Sequence, residues 1–220
     1  MARSRTAREI LVLALAVFLF AGLSFLFLGQ RKAGLESAAL KEMTFYILRN
    51  GDPASLISVP LLAEGREEQV NPDDLTLFPA DQYRLTGDFD RPTFWYVLWF
   101  DTNGYAAVNP GSRTAQVEVM YPANAMAQLN RKDPSGVHLL VLVEGSIPPQ
   151  EGVELLENIM HGLGKPPDPP SRRLAIIARG VREERGLPAG TLAGDYVQAI
   201  RDRMPAGLKP ALMLFVHTKK

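Results

Sequence analysis

Residues 83–110 read YRLTGDFDRPTFWYVLWFDTNGYAAVNP, and this stretch decides the fold. It holds both tryptophans of the chain and its longest apolar run outside the N-terminus, Phe94 to Phe100. Alternation along a strand puts Phe94, Tyr96, Leu98 and Phe100 on one face and Trp95, Val97 and Trp99 on the other. Both faces are apolar, so the strand is either covered on both sides or carries a sticky outer face. Asp101-Thr102-Asn103-Gly104 supplies the residues that tolerate the positive φ of a tight hairpin turn. The spacing therefore predicts a strand over 93–100, a turn, and a return strand over 105–108. Asp90-Arg91-Pro92 ends the preceding strand, because proline has no N–H for a ladder.

Outward from this hairpin the chain reads as many short elements. Strands are predicted over 44–49, 56–62, 82–89, 115–121, 136–143, 174–178 and 212–217, with a short apolar piece at 75–78. Residues 150–163 and 192–204 have the 3.6-residue period of helices, the second with Thr191 as its cap. The four prolines of residues 164–171 make a stiff linker. Hairpin-length links between most strands predict a fold that is mainly β with helical additions, in an antiparallel sandwich.

The chain has 220 residues, of which 46% are hydrophobic and 22% charged, enough for a sizeable core and unlike a disordered composition. Cysteine is absent, which excludes disulfides, thiolate zinc sites and cysteine nucleophiles. Net charge is zero but unevenly placed: residues 64–90 carry eight acidic and two basic residues, and residues 172–220 ten basic and four acidic. The basic end has no lysine or arginine stripe interleaved with aromatics, which argues against nucleic-acid binding.

Ile10 to Leu28 is nineteen residues without a charge. As a helix it is about 28 Å long, which fits a hydrocarbon core of about 30 Å. A cleaved signal peptide has a shorter apolar core, so the length favours an uncleaved anchor. The expected organisation is a cytoplasmic tail over 1–9, a transmembrane helix over 10–29, a helical stalk over 30–43 and a β-rich extracytoplasmic domain over 44–217. The arginines before the span set the N-terminus in the cytoplasm. The lipid bilayer, met through residues 10–28, is thus one expected partner.

Between Leu75 and Pro110 the order of motifs is distinctive. Pro79-Ala80-Asp81 makes a turn, Asp90-Arg91-Pro92 a break, Trp95-Tyr96-Val97-Leu98-Trp99 an aromatic strand, Asp101-Thr102-Asn103-Gly104 a hairpin, and Asn109-Pro110 a stop. This order resembles a β-sandwich domain of unknown function from bacterial proteins, found beside caspase-like and serine/threonine-kinase domains. The resemblance implies an Ig-like accessory domain in an envelope or multidomain setting. It brings no catalytic residues.

A search for chemistry finds little. His138, His161 and His217 lie in no metal-ligand spacing, and no serine lies in G-x-S-x-G. Neither a Walker A nor a G-x-G-x-x-G sequence is present, so no cofactor and no metal is expected. Asp88, Asp90 and Asp101 flank the central strand and could supply a carboxylate pair for acid/base work or an oxygen site for calcium, and an envelope hydrolase would use Asp88, Asp90 or His138. Turn chemistry accounts for these aspartates more simply. Trp95, Trp99 and Tyr105 are the candidate binding residues, as an aromatic platform for a glycan or peptide. The expectation is a non-enzymatic, single-pass envelope protein that binds a protein partner or scaffolds a complex.

Overall fold

The computed structural model describes residues 37–68, 70, 72–128, 135–168, 175–177 and 192–219. The expected membrane span, the stalk as far as residue 36, Thr191 and the polar stretch 181–190 lie outside these residues. So do residues 169–171 of the proline-rich linker. Among the described residues no helix is long and apolar enough to cross a membrane. The compact unit begins at Ser37.

The strands are β1 (Leu40–Leu48), β2 (Leu56–Ala63), β3 (Arg66–Glu67), β4 (Thr76–Leu77), β5 (Gln82–Asp101), β6 (Gly104–Pro110), β7 (Gln116–Tyr121), β8 (Ala127–Gln128), β9 (Gly136–Gly145), β10 (Ala175–Ile177) and β11 (Leu208–Thr218). Two α-helices accompany them, α1 (Pro149–Met160) and α2 (Leu192–Arg203). The chain is mainly β. Its strands join into one curled sheet in the order β10-β11-β9-β5-β1-β2-β3, with β6, β7 and β8 also on β5 and β4 on β11. Pairing is antiparallel throughout except between β4 and β11.

β5 organises the whole. Its first limb, Gln82–Phe89, pairs with β1 on one side and with β7 and β8 on the other. Its second limb, Phe94–Asp101, pairs with β9 and β6. The register shifts between Asp88 and Thr93, and there the strand turns over. Tyr83 and Trp99, on opposite limbs, stack with ring centroids 5.6 Å apart. Sixteen residues of straight strand would separate them by about 50 Å. The two limbs therefore face each other, and the layers expected of a sandwich are halves of one bent sheet.

Both faces of the second limb are covered, which is why its sequence is apolar on both. Trp95 and Val97 are buried toward the first limb. Tyr96, Leu98 and Phe100 are fully buried on the helix side. Tyr96 donates its hydroxyl to the Ile147 carbonyl at 2.5 Å, and the Phe100 ring meets Tyr196 of α2 edge-on at 6.0 Å. Gly152 of α1 lies against the Tyr96 phenol, where a β-carbon would clash. α1 contributes Leu156 and Met160 to this layer and α2 contributes Ala193, Val197 and Ile200, all buried.

Three expectations need correction. Asp90-Arg91-Pro92 bends one strand rather than separating two. Pro92 sits exposed at the register shift, where no ladder bond is required of it. Leu40–Met43 belong to β1 and not to a helical stalk, because Leu40 and Met43 are buried and β1 pairs with β5 from Leu40 onward. Tertiary pairing outweighs a weak local helix preference there. Between the strand predicted over 56–62 and the apolar piece at 75–78, where the sequence predicts no element, lie β3 and a 3₁₀ turn at Pro72–Leu75.

The Asp101–Gly104 hairpin forms as the sequence dictates. Asp101 Oδ1 accepts from the N–H groups of Asn103 at 2.7 Å and Gly104 at 3.1 Å. Gly104 adopts φ 132°, a conformation that glycine alone takes without strain.

Candidate functional site

The three aromatic residues expected to form a platform do not converge. Trp95 is 3% exposed, and its indole Nε1 donates to the Glu118 carbonyl of β7 at 3.0 Å. Gly111 lies flat on that indole, and its N–H donates to the Trp95 carbonyl at 2.9 Å. Trp99 stands between Tyr83 and His138 in a column of rings that starts at Phe45. Tyr105 is opposite Phe100 in register and so lies on the other face of the sheet. Its ring meets Phe100 and His161 edge-on, each at 5.5 Å. Burial, reinforced by the charge of Glu157, pushes the Tyr105 hydroxyl up to about 12. The apolar second face of the strand is thus interior, and a flat platform of these three residues is excluded by their placement on two faces.

The polar residues considered for hydrolysis are also dispersed. Asp90 Oδ1 accepts from the Ala39 N–H at 2.9 Å, and the Asp90 N–H donates back to the Ala39 carbonyl at 2.9 Å. Asp101 is occupied by its turn. His138 is 2% exposed, tilted against Trp99, with Nε2 at 3.4 Å from the Thr218 hydroxyl. His161 follows the last residue of α1, and His217 lies on β11. Among the described residues no group of three or more histidines, aspartates or glutamates could hold a metal ion.

Two buried carboxylates escaped the sequence reading. Asp81, 1% exposed, accepts from Arg49 at 2.5 Å, from the Phe78 N–H at 2.8 Å and from the Asn50 N–H at 3.1 Å. Arg49 also donates to the Thr76 carbonyl at 2.7 Å and stacks on the Phe78 ring. This knot ties the Pro79-Ala80-Asp81 turn to the end of β1. Glu144, 3% exposed at the end of β9, accepts from the Ser37 hydroxyl at 2.5 Å, the Ala38 N–H at 3.3 Å and the Thr93 hydroxyl at 3.3 Å. It clasps the start of the compact unit to the bend of β5. Its one signal in the sequence is a lone acid closing an otherwise apolar strand.

What the fold does assemble is a row of carboxylates. Glu42 of β1 is opposite Asp88 of β5, and Asp88 is opposite Glu118 of β7. Residues directly opposed in antiparallel strands share a face, and adjacent strands lie about 4.8 Å apart. The row crosses the outer face of the first limb and stops at β7. Glu42 and Glu118 are exposed and Asp88 is half-buried.

The chain matches no protein-family model, no curated protein and no solved structure.

Proposed function

We propose that this is a non-enzymatic, single-pass membrane-anchored protein of the bacterial envelope, whose β-rich domain binds a protein partner or scaffolds a complex. The observation that carries the reading is the uncharged run Ile10–Leu28, followed within ten residues by the first residue of a compact unit, Ser37. The run has the length of a membrane-spanning helix, and the N-terminal arginines favour a cytoplasmic N-terminus. A binding role is supported by the structural employment of Asp81, Asp90, Asp101 and Glu144. Each serves turns or junctions of the chain rather than a shared cleft.

The finer architecture follows the same reading. The two facing limbs of β5 support a two-layered, Ig-like reading. They fit the accessory-domain setting that the Leu75–Pro110 motifs resemble. Membrane fractionation followed by protease treatment of intact spheroplasts tests the proposal. The domain sediments with membranes, resists carbonate extraction and is digested from outside. Recovery in the soluble fraction, or full protection inside spheroplasts, overturns it.

A further inference from the structure

We infer that the free edge of β7 takes up an extended, cationic segment of the partner protein as an added strand, with a lysine or arginine opposite Glu118. The inference rests on the partner-binding reading above and gives that partner its chemistry.

An unpaired strand edge presents N–H and C=O groups ready to template another strand. Among the described residues β7 pairs only with β5 and no strand lies on its far edge, while one of its carbonyls, that of Glu118, accepts from the Trp95 indole. The edge strands β3, β8 and β10 are two or three residues long, whereas β7 has six; β2, unpaired with β3 over residues 56–61, also offers an edge but carries no charged residue to select an occupant. β7 also carries Val117 and Met120, exposed by 37% and 41% and pointing to opposite faces. β6 has a free edge too, but no large hydrophobic residue exposed on it. A strand laid beside β7 would find apolar contact on both of its faces.

Charge selects the occupant. Like charges directly opposite across strands are unfavourable. The row Glu42, Asp88, Glu118 sets three of them side by side. Among the described residues none of the three makes an ion pair with a lysine or arginine. The position that continues the row is the one opposite Glu118 on the next strand out. A cation there relieves the repulsion and fixes the register of the added strand. A second copy of this chain does not meet the requirement. An antiparallel β7 pair that opposes Val117 and Val119 sets Glu118 against Glu118.

The test uses the full chain in detergent micelles and fluorescent seven-residue peptides of alternating valine and threonine, with arginine or glutamate at the centre. Fluorescence anisotropy should show the arginine peptide binding at least about fivefold more tightly than the glutamate peptide. That margin should shrink as salt is raised. Glu118→Arg should reverse the order of the two peptides. N-methylation of alternate peptide amides should abolish binding, which simple charge attraction would not require. Equal binding of both peptides, no binding of either, or an unchanged order in Glu118→Arg overturns the inference. So does self-association of the chain that Glu118→Arg strengthens in place of peptide binding. If a membrane pull-down captures a partner whose binding ignores Glu118→Arg, the partner docks elsewhere. The edge inference then fails while the partner-binding reading stands.

Discussion

Tyr83 and Trp99 lie on one strand, sixteen residues apart, and their rings stack at 5.6 Å with an angle of 24° between planes. This contact closes the fold of β5 and joins Phe45 of β1 to His138 of β9. Trp99→Ala should therefore cost about 3–5 kcal/mol, as loss of a large packed aromatic does. Urea unfolding followed by circular dichroism measures it. A Tyr83→Ala, Trp99→Ala double-mutant cycle should return a coupling of about 0.5–1.5 kcal/mol. Full stability in Trp99→Ala with weakened ligand binding would instead make Trp99 a recognition residue.

Gly111 is held against Trp95 at the corner between β6 and β7. A β-carbon there falls inside the indole, so Gly111→Ala must move either the ring or the chain. The expected loss is about 1–3 kcal/mol, the usual range for overpacking. The combination with Trp95→Phe, which shrinks the ring, should recover part of it. Thermal melts of the two variants and the pair decide the matter.

Glu144 holds Ser37, Ala38 and Thr93 together. Glu144→Leu leaves the Ser37 hydroxyl and the Ala38 N–H without their acceptor, at about 1–3 kcal/mol, while Thr93 keeps the Gly145 carbonyl at 3.0 Å. The damage should be local. Hydrogen exchange of the Ala38 amide should quicken before that of β9, and a variant that loosens both equally would show that Glu144 serves the core at large.

Alkaline pH should unfold the domain earlier than neutral-pH stability implies. Burial, with a contribution from Glu151, pushes the Tyr96 hydroxyl up to about 12 from its ordinary value of 10.0, and Tyr105 behaves alike. The folded state keeps these protons after the unfolded chain has lost them. Their contribution is therefore intact below pH 10 and is lost as pH rises toward 12. Melting temperatures measured from pH 9 to pH 12 should fall across that window. Tyr96→Phe should lessen the fall while lowering stability at pH 8, because the bond to Ile147 is gone. A flat profile would contradict the burial of these phenols.

Local patterns were legible where local forces rule. The hairpin at Asp101–Gly104 is written in residues that turn tightly. The apolar period of Val153, Leu156 and Met160 marks a helix that packs one face. The two-sided apolarity of Phe94–Phe100 leaves a choice between cover on both sides and a sticky outer face, and the helices and the opposite limb provide the cover. What stayed hidden depends on distant chain. Pro92 reads as a stop, yet the ladder resumes beyond it because different strands pair on either side of the bend. Leu40–Met43 look weakly helical until β5 supplies a partner. Core packing is the default reading of Trp95 and Trp99, but their sequence leaves an aromatic platform open, since only the folding-over of β5 decides which side is inside. The Glu42, Asp88 and Glu118 row joins residues far apart in sequence, and only the register reveals it.

The Glu144 clasp also has a mechanical meaning. Tension arriving along the chain from the N-terminal side reaches the compact unit at Ser37 and passes into β1. That strand lies between β2 and β5 and is bonded to both along its length. A pull parallel to β1 loads many hydrogen bonds together, in shear, instead of opening them one after another like a zip. The Ser37–Glu144 and Ala39–Asp90 contacts act as the collar where that load is taken up.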